Sequence, residues 1–437
     1  MKKHSLFQII LLAVFGSLGV AGVLIFAFAV GGGGPSNVIG KVVIWGTFDK
    51  AAMQSVLDVA MRDNQDLQQV SYVQKPEGSY EQDLSNALAQ VQGPDLFILR
   101  SDYALKDEPK VKSISYDELS QVQFQNIFAE ATNPYLGASG VVAVPFAIDP
   151  LVLYWNRDLL SSAGYAKPPA FWDEVPDMAA KITQKDQDGG IKKATIAFGT
   201  YRNIENAKGI LSALFMQAGV PITQAGSDGT IAAALTQESG GTGSPADDAL
   251  RFYTEFADPS QSDYSWSGSM QGARAAFAAG DVALYVGFGS ELPLIASMNP
   301  NLNMAIAALP QLRGAARASD FGRAYAFAVP RGSGNPVGAK AVAALLDSAT
   351  TSAAFARALG ISSALRSVLS LPESGNADTF NKMAIITRIW RDPDPTQTDP
   401  LFRAMIEDTV SGASPLSQAL QRAGQQLSQI ISAQNTQ

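Results

Sequence analysis

Residues 141–160 of this chain read VVAVPFAIDPLVLYWNRDLL. Two apolar runs in this stretch, Val141–Pro145 and Leu151–Tyr154, have the length and composition of buried strands. Asp149-Pro150 interrupts the apolar pattern between them. The stretch therefore predicts two successive strands, with the chain leaving one sheet and entering another at Asp149-Pro150.

The segment before this stretch alternates between strand and helix patterns. Strands are predicted at Lys41–Gly46, Gln69–Gln74 and Asp95–Leu99, with helices at Met53–Met61 and Tyr80–Val91 between them. Such alternation indicates an α/β fold with a mostly parallel sheet and helices on both faces. Ligands of these sheets lie at the carboxyl ends of the strands. The loops after the first and third strands are therefore the first candidate binding segments.

The segment after this stretch continues with helices and strands. Ser244-Pro245 is typical of a helix start, and this helix is predicted to reach Phe256. A strand is predicted at Asp281–Val286, and two helices from about Pro400 to the C-terminus.

The composition of the 437 residues limits the classes of function. Apolar residues make up 46% and charged residues 16%, and the length favours two domains. The formal net charge of −8 lacks the basic excess that nucleic-acid binding needs. The chain has no cysteine, and its single histidine is His4. The sequence therefore excludes thiol nucleophiles and, in the body of the chain, a Ser-His-Asp triad or a histidine-bearing zinc site.

The first forty residues predict an exported chain with a membrane anchor. Leu6–Val30 contains no charged residue and exceeds the roughly 20 residues that span a bilayer as a helix. Lys2 and Lys3 precede it, which places the N-terminus in the cytoplasm and the body outside. A cleaved signal peptide with a cleavage site at Ala27–Ala29 is the alternative, but the apolar stretch is longer than usual for one. Gly31–Ser36 is predicted to be a flexible spacer.

Residues 141–160, together with Ala163-Gly164 and Pro168–Glu174, closely resemble the family 1 extracellular solute-binding proteins (maltose-binding-protein-like). These are the sugar-binding components of ABC importers. Shorter segments such as Phe277–Leu284 and Tyr325–Pro330 agree in the same order, and the similarity runs from about residue 41 to the end. Many relatives carry a lipobox cysteine that this chain lacks, and a transmembrane helix would replace that lipid anchor.

The resemblance implies an α/β, two-lobed periplasmic-binding-protein-like fold with a ligand cleft between the lobes, in addition to the N-terminal transmembrane helix. Residues 1–40 would form the anchor and spacer. Lobe 1 would comprise residues 41–147 with 322–355, and lobe 2 residues 148–321 with 356–437. The two lobes would close on the ligand by hinge bending.

The same resemblance implies a monomeric, non-enzymatic protein at the cell membrane, with its binding domain outside the cytoplasm. It would capture a small solute, for which a mono- or oligosaccharide is expected, and deliver it to the permease subunits of an ABC importer. No catalytic residue, cofactor, metal or nucleic-acid partner is expected.

Sugar recognition uses aromatic faces for the apolar sides of a ring, and carboxylates, amides and arginines for its hydroxyls. By the resemblance, Thr47, Phe48 and Asp49 in the loop after the first strand are candidates for contact with the ligand. Asp102 and Tyr103 in the loop after the third strand are candidates for the same reason. An ordinary strand–helix loop with Asp49 at a helix start would contain the same residues.

Two further candidate segments follow from the resemblance. Asp149 occupies the crossover position where relatives place an acidic ligand-binding residue, although it would equally cap a turn before the proline. Phe288, followed by Ser290 two positions later, lies in the family's aromatic stacking loop. The glycines on both sides of Phe288 let the backbone approach a ligand closely. Phe288 is the leading candidate for a stacking platform.

The remaining candidates are aromatic and basic side chains. Tyr201 and Arg202 follow a predicted strand of the second lobe and would either clamp a ring or lie in a surface loop. Trp266 stands between small residues and is expected to be exposed, in the cleft or on the lobe surface. Arg323 and Tyr325 lie at the return crossover, where Tyr325 would alternatively belong to the core.

Residues 186–190 read DQDGG and suggest a calcium loop. A full calcium loop needs more oxygen ligands at alternating positions and a terminal bidentate glutamate. Here the pattern stops after Asp188, so a hairpin turn is predicted instead.

Two other classes of function remain open. An exported glycosidase or polysaccharide lyase needs two carboxyls about 5–10 Å apart around one bond, and residues 141–174 contain no such motif. A sensory or scaffold protein on the same fold would differ in having no permease partner. Family members also take up peptides, polyols and glycerol phosphates, so carbohydrate is an expectation from the family alone.

Overall fold

The computed structural model describes residues 39–226, 230–236 and 244–434. These residues form two compact units. Unit 1 comprises the chain up to Ile148 together with Arg323–Glu373, and unit 2 comprises Asp149–Gly322 together with Ser374–Gln437.

The strands are β1 (Val42–Gly46), β2 (Val70–Gln74), β3 (Leu96–Arg100), β4 (Ile114–Ser115), β5 (Gly140–Val141), β6 (Val144–Asn156), β7 (Gln184–Lys185), β8 (Ile191–Ile196), β9 (Thr223–Ala225), β10 (Ile231–Ala233), β11 (Val282–Phe288), β12 (Met304–Ala307), β13 (Asp320–Ala328), β14 (Ser362–Ser363) and β15 (Thr387–Arg388).

The α-helices are α1 (Lys50–Asp63), α2 (Tyr80–Ala89), α3 (Ala104–Asp107), α4 (Gln121–Ile127), α5 (Arg157–Ser162), α6 (Val175–Ile182), α7 (Ala207–Gln217), α8 (Pro245–Glu255), α9 (Ala273–Ala278), α10 (Leu292–Met298), α11 (Pro336–Leu346), α12 (Ala349–Leu359), α13 (Arg366–Leu369), α14 (Asn376–Ile386), α15 (Pro395–Val410) and α16 (Leu416–Gln434).

Unit 1 is built on the parallel strands β2, β1 and β3, with β1 between the other two. The last residues of β13 run antiparallel to β3, with Tyr325 opposite Arg100. The apolar residues of α1 recur at helical spacing and are buried, and α12 packs against this helix. α1 in turn packs against β2, and the loops that follow β1 and β3 lie at the carboxyl ends of these strands.

Unit 2 is built around β11, in which every residue is buried. β11 runs parallel to β8 and antiparallel to β6, and β12 pairs antiparallel with β6. The helices α15 and α16 pack against each other and against α8. The predicted strand at 281–286 and the predicted helix from Ser244-Pro245 to Phe256 are confirmed as β11 and α8.

The strand predicted at Leu151–Tyr154 and the last two residues of the strand predicted at Val141–Pro145 lie in one uninterrupted strand, β6, while Val141 belongs to β5. Pro150 cannot donate a ladder hydrogen bond, and the pairing of β6 with β11 begins one residue later, at Leu151. The boundary between the two units nevertheless falls inside β6, between Ile148 and Asp149. The expectation of a strand break was therefore wrong, while the change of unit lies where the Asp-Pro pair suggested.

The sheet arrangement is mixed, whereas a mostly parallel one was expected. β1, β2 and β3 are parallel, as are β8 and β11. β6 runs antiparallel to β11 and β12, and β13 runs antiparallel to β3 but parallel to β15. Alternation of strand and helix patterns identifies the elements, but the direction in which a distant strand returns is not contained in a local pattern.

Unit 1 extends beyond residue 355, the end expected for lobe 1. After α12, Ser362 and Ser363 pair with Ile148 and Ala147 of β6, and α13 packs against α4. These contacts place the chain as far as Glu373 in unit 1.

The predicted transmembrane helix, Leu6–Val30, and the spacer after it lie outside the described residues. Among residues 39–226, 230–236 and 244–434, no helix has both the length and the apolar character needed to cross a membrane.

Asp347, at the end of α11, is a buried carboxyl group. Its exposed fraction is 5%, and neither of its carboxyl oxygens has a hydrogen-bond partner among the described residues. Burial raises the pKa of Asp347 well above its ordinary value. Ionisation of this group therefore opposes folding. With respect to this group, the protein is therefore most stable below the unfolded-state pKa of about 4, where this carboxyl group is protonated in both states. As pH rises from there towards the folded-state pKa, the free energy of unfolding decreases.

We expect Asp347→Asn to raise the melting temperature at neutral pH, by the equivalent of about 1–3 kcal/mol, because the amide does not ionise whereas ionisation of the unpaired, buried carboxyl opposes folding. The gain should shrink as pH falls below about 4, where the wild-type carboxyl becomes protonated in both the folded and the unfolded state. Thermal melts followed by circular dichroism across this pH range measure both effects. Asp117→Asn, at an exposed position of the same unit, is the control and should change little. An Asp347→Asn variant that melts below the wild type at neutral pH would contradict this account.

Candidate functional site

Unit 1 presents an aromatic pair at the carboxyl end of β1. The ring of Phe48, in the loop after β1, lies 4.7 Å from the ring of Tyr325 in β13, with an interplanar angle of 64°. Phe146 lies 6.2 Å from Phe48 between ring centroids. Phe48 and Tyr325 are partly exposed, whereas Phe146 is buried. The pair therefore offers an aromatic surface of the kind that accepts the apolar face of a sugar ring.

A charged pair lies beside this aromatic surface. The Arg100 Nε and Nη2 atoms donate to Oδ1 and Oδ2 of Asp102 at 2.6 and 2.8 Å, which is bidentate geometry. The Arg100 guanidinium also lies 5.2 Å from the ring centroid of Tyr103. Burial would lower the pKa of Arg100, but the charge and hydrogen bonds of Asp102 outweigh it and the pKa is raised. The loop after β3 is therefore held in one geometry by an ion pair.

The loop after β1 also contains structural contacts. Asp49 Oδ1 accepts a hydrogen bond from the Ala52 N–H at 2.9 Å and caps α1, which matches the helix-start explanation for this residue. The Tyr72 hydroxyl donates to the Phe48 carbonyl at 2.9 Å and fixes the backbone there. Thr47 and Arg323 are partly exposed, and their contact with a ligand stays a prediction.

The loop after β11 in unit 2 is held by the carboxylate of Glu291, which is buried. Its Oε1 accepts hydrogen bonds from Asn206 Nδ2 at 2.6 Å and from the Phe288 N–H at 2.8 Å. Its Oε2 accepts from the Tyr285 hydroxyl and from Arg274 Nε, both at 2.6 Å. These donors compensate for the burial of the charge, and they fix the loop to β11, to α9 and to the segment before α7.

Asp149 lies next to this loop in unit 2. It is fully buried, and its Oδ1 accepts a hydrogen bond from the Ser290 N–H at 3.0 Å. A Cβ atom on Gly322 would lie 2.8 Å from the Asp149 carbonyl oxygen, so this close approach requires glycine. Burial, with a smaller effect from the charge of Asp149, raises the pKa of nearby Asp320 well above its ordinary value. Asp149 therefore orients the loop that carries Ser290, and its contact with a ligand stays a prediction.

Two aromatic candidates in unit 2 are buried. Phe288 is 2% exposed, and a Cβ atom on Gly209 of α7 would lie 3.6 Å from its Cζ atom. Trp266 is fully buried, and its Nε1 atom donates to Asn203 Oδ1 at 3.2 Å. The expectation of an exposed Trp266 was therefore wrong. The ring of Phe288 packs against α7 and does not form the open stacking platform that was expected.

The Tyr201–Arg202 pair lies at the surface of unit 2. Arg202 Nε lies 2.9 Å from Oε1 of Glu407 in α15, and the arginine side chain is 76% exposed. An exposed ion pair of this kind contributes little to stability. Burial, with a smaller effect from the charge of Asp399, raises the pKa of Tyr201. The geometry favours the surface-loop interpretation of Arg202, and a ligand contact of Tyr201 stays a prediction.

Residues 186–190 form the predicted hairpin turn between β7 and β8. Asp186 Oδ1 accepts hydrogen bonds from the Asp188 and Gly190 N–H groups at 3.0 and 2.7 Å. Gly189 adopts a positive φ of 83°, which favours glycine. Turn geometry accounts for these residues, as the hairpin interpretation expected.

The sequence reasoning missed Arg100 and Glu291. Arg100 directly precedes the candidates Asp102 and Tyr103 and ends the strand that carries them. Glu291 lies three residues after Phe288, the spacing at which a carboxylate reaches back to a backbone N–H at the start of a helical turn. Both signals were present locally, but they indicate how a loop is held and not which side chain meets a ligand.

The family of the chain follows from its sequence match. The family model for bacterial extracellular solute-binding proteins matches residues 48–352. This span contains Phe48 and Asp49 of the loop after β1, the loops after β3 and β11, and the whole of β6. The chain therefore belongs to the bacterial extracellular solute-binding proteins, and the predicted family is confirmed.

Solved structures of other binding proteins share the fold of this chain. The sugar-binding protein MalE from Xanthomonas citri matches with a TM-score of 0.71 and 17% identity, over 90% of this chain and 98% of that chain. The cyclic α-maltosyl-1,6-maltose-binding protein from Arthrobacter globiformis matches with a TM-score of 0.73 and 16% identity, over 91% and 99%. A solute-binding protein from Thermotoga lettingae, bound with α-D-tagatose, matches with a TM-score of 0.66 and 18% identity, over 90% and 100%. These matches confirm the predicted two-lobed α/β binding-protein fold.

We expect Glu291→Gln to destabilise unit 2 by about 1–3 kcal/mol, because the amide preserves the shape but leaves the Arg274 charge without its partner. Melting curves measure this loss. Glu205→Gln is the matched control, since Glu205 is exposed and, among the described residues, accepts hydrogen bonds only from the Arg274 backbone N–H. Equal melting temperatures for the two variants would show that the Glu291 carboxylate does not hold the loop.

Proposed function

We propose that this chain captures a carbohydrate outside the cytoplasm by closure of its two lobes and delivers it to the membrane subunits of an ABC importer. The observation that carries the proposal is the aromatic surface of Phe48 and Tyr325 beside the fixed Arg100–Asp102 pair. Both lie at the carboxyl ends of parallel strands, where ligands of α/β sheets bind. Membership of the extracellular solute-binding family supports a binding role without catalysis.

The chemistry of unit 1 favours a neutral, polyhydroxylated ligand. An aromatic surface covers the apolar face of a sugar ring, and adjacent charged groups exchange hydrogen bonds with its hydroxyls. Because the charge of Arg100 is balanced by Asp102, this pair favours a neutral sugar over a phosphate or carboxylate. The similar solved structures also include complexes with sugars, namely α-D-tagatose and maltotetraose.

The contribution proposed for unit 2 is polar. Ser290 is partly exposed, and its backbone is held by Asp149. Its hydroxyl both donates and accepts hydrogen bonds, which suits a sugar hydroxyl. Asp149 is proposed to support this contact from the interior of unit 2.

The N-terminal segment is proposed to tether the protein to the membrane. Leu6–Val30 is uncharged and long enough to span a bilayer, and Lys2 and Lys3 before it favour a cytoplasmic N-terminus. Because the chain has no cysteine to carry a lipid anchor, this helix would take over the anchoring role.

The ligand class is tested by a thermal-shift screen with maltose, maltotetraose, tagatose and peptides, followed by calorimetric titration of the best ligand. We expect a sugar to give the largest shift. Phe48→Ala should weaken its binding by roughly 1–2 kcal/mol, or about 5- to 30-fold, because an aromatic contact is lost. Phe171→Ala removes a partly exposed ring of unit 2 beside Arg313 and serves as the control. Stabilisation by peptides alone would refute the carbohydrate assignment, and cleavage of an added oligosaccharide would indicate an enzyme.

The tether is tested by fractionating cells that express the full chain or a chain without residues 1–40. We expect the full chain to stay with the membranes after a high-salt wash, because apolar insertion is insensitive to salt. The shortened chain should be recovered without membranes. A soluble mature form that begins at Val30 would show that the signal-peptide alternative is correct.

A further inference from the structure

A cavity of about 340 Å³ lies within unit 2, at the amino ends of β8 and β11. Its walls are the β7–β8 turn and the loop Tyr264–Gln271, and Asp281 lines it directly before β11. The candidate loop after Phe288 lies at the other end of β11, about 20 Å away at a rise of roughly 3.3 Å per residue. The cavity is therefore separate from the candidate ligand loop of unit 2.

One wall of the cavity combines an aromatic ring with hydroxyl groups. Tyr264 is partly exposed, and the Lys185 Nζ atom lies 4.8 Å from its ring centroid, which holds the ring from one side. The hydroxyls of Ser267 and Ser269 lie 3.0 Å apart. Met270 adds an apolar contact surface. This wall supplies both stacking area and hydrogen-bonding groups.

The two carboxylates of the cavity are already compensated. Asp281 Oδ1 accepts from Lys193 Nζ at 2.8 Å, and Asp186 Oδ1 accepts from two backbone N–H groups of its turn. In the part of the chain that the structure describes, no group of three or more acidic or histidine side chains is placed to hold a metal ion. Compensated charges disfavour an ionic ligand and leave the cavity suited to a neutral molecule with many hydroxyls.

We propose that this cavity is a peripheral carbohydrate-binding site that takes one or two sugar units. Its volume is at the lower end of the roughly 300–1,000 Å³ typical of small-molecule pockets. An open site of this size is expected to bind weakly, in the millimolar range. This proposal does not depend on the proposed transport function, because the two proposals have only the class of ligand, a carbohydrate, in common.

The test titrates glucose and maltose onto protein whose tyrosines carry ¹³C, with the Tyr264 resonance assigned by comparison with Tyr264→Phe. We expect a saturable change in this resonance. Asp281→Asn should weaken the binding that it reports by about tenfold, because a charge-assisted acceptor is lost. Asp188→Asn, in the adjacent turn but outside the cavity lining, is the matched control and should bind like the wild type. Tyr165, which also lies under a lysine side chain, should show no saturable response.

The outcomes separate this proposal from the one for the ligand loops. A silent Tyr264 resonance, together with sugar binding that Phe48→Ala weakens, would overturn the peripheral site and leave the proposed function standing. A saturable Tyr264 response with no effect of Phe48→Ala would support the peripheral site alone. A Tyr264 response that rises without saturation, or that Asp281→Asn leaves unchanged, would show that the sugar contacts this surface non-specifically. Either result would overturn the proposal of a peripheral site.

Discussion

The buried strand β6 is the constraint on which both units depend. Every side chain from Val144 to Asn156 except that of Trp155 is buried. A strand in such surroundings must have its backbone N–H and C=O groups paired by neighbouring chain, since water is not available to them. β14 of unit 1 pairs with it, as do β11 and β12 of unit 2, and β13 is a further neighbour in the sheet. One continuous strand therefore forms sheet pairings in both units.

Side chains of β6 also fix the position of the loop after β11. The hydroxyl of Tyr154 donates to the carbonyl of Phe288 at 2.7 Å in the interior of unit 2, and Asp149 accepts from the Ser290 N–H. Glu291 then holds the same loop from the other side through its buried carboxylate. Because buried polar groups are costly when unpaired, these bonds reinforce one another and leave the loop little freedom. A loop held in this way would lose little conformational entropy on meeting a ligand, which fits the role proposed for Ser290.

The two units contribute different chemistry to the proposed binding of a sugar. Unit 1 keeps Phe48 and Tyr325 partly exposed, and the buried ring of Phe146 packs against Phe48. Unit 2 buries Phe288 and Trp266 within its own packing. Aromatic stacking in the proposal therefore falls to unit 1, and unit 2 contributes polar groups of its rigid loop. Affinity in such an arrangement depends on the aromatic contact, while orientation of the ligand depends on the polar groups.

The sequence by itself determined the elements and the family. β1, β3, β11 and α8 follow from apolar periodicity and capping residues within short windows, and residues 141–174 carry the resemblance that the family match confirms. Only the tertiary structure decided the continuity of β6, the direction of β13 and the burial of Phe288 and Trp266. The ring of Phe288 packs against Gly209 in α7, and the Trp266 indole is bonded by Asn203. These partners lie far away along the chain, so exposure depends on long-range packing that no local pattern contains.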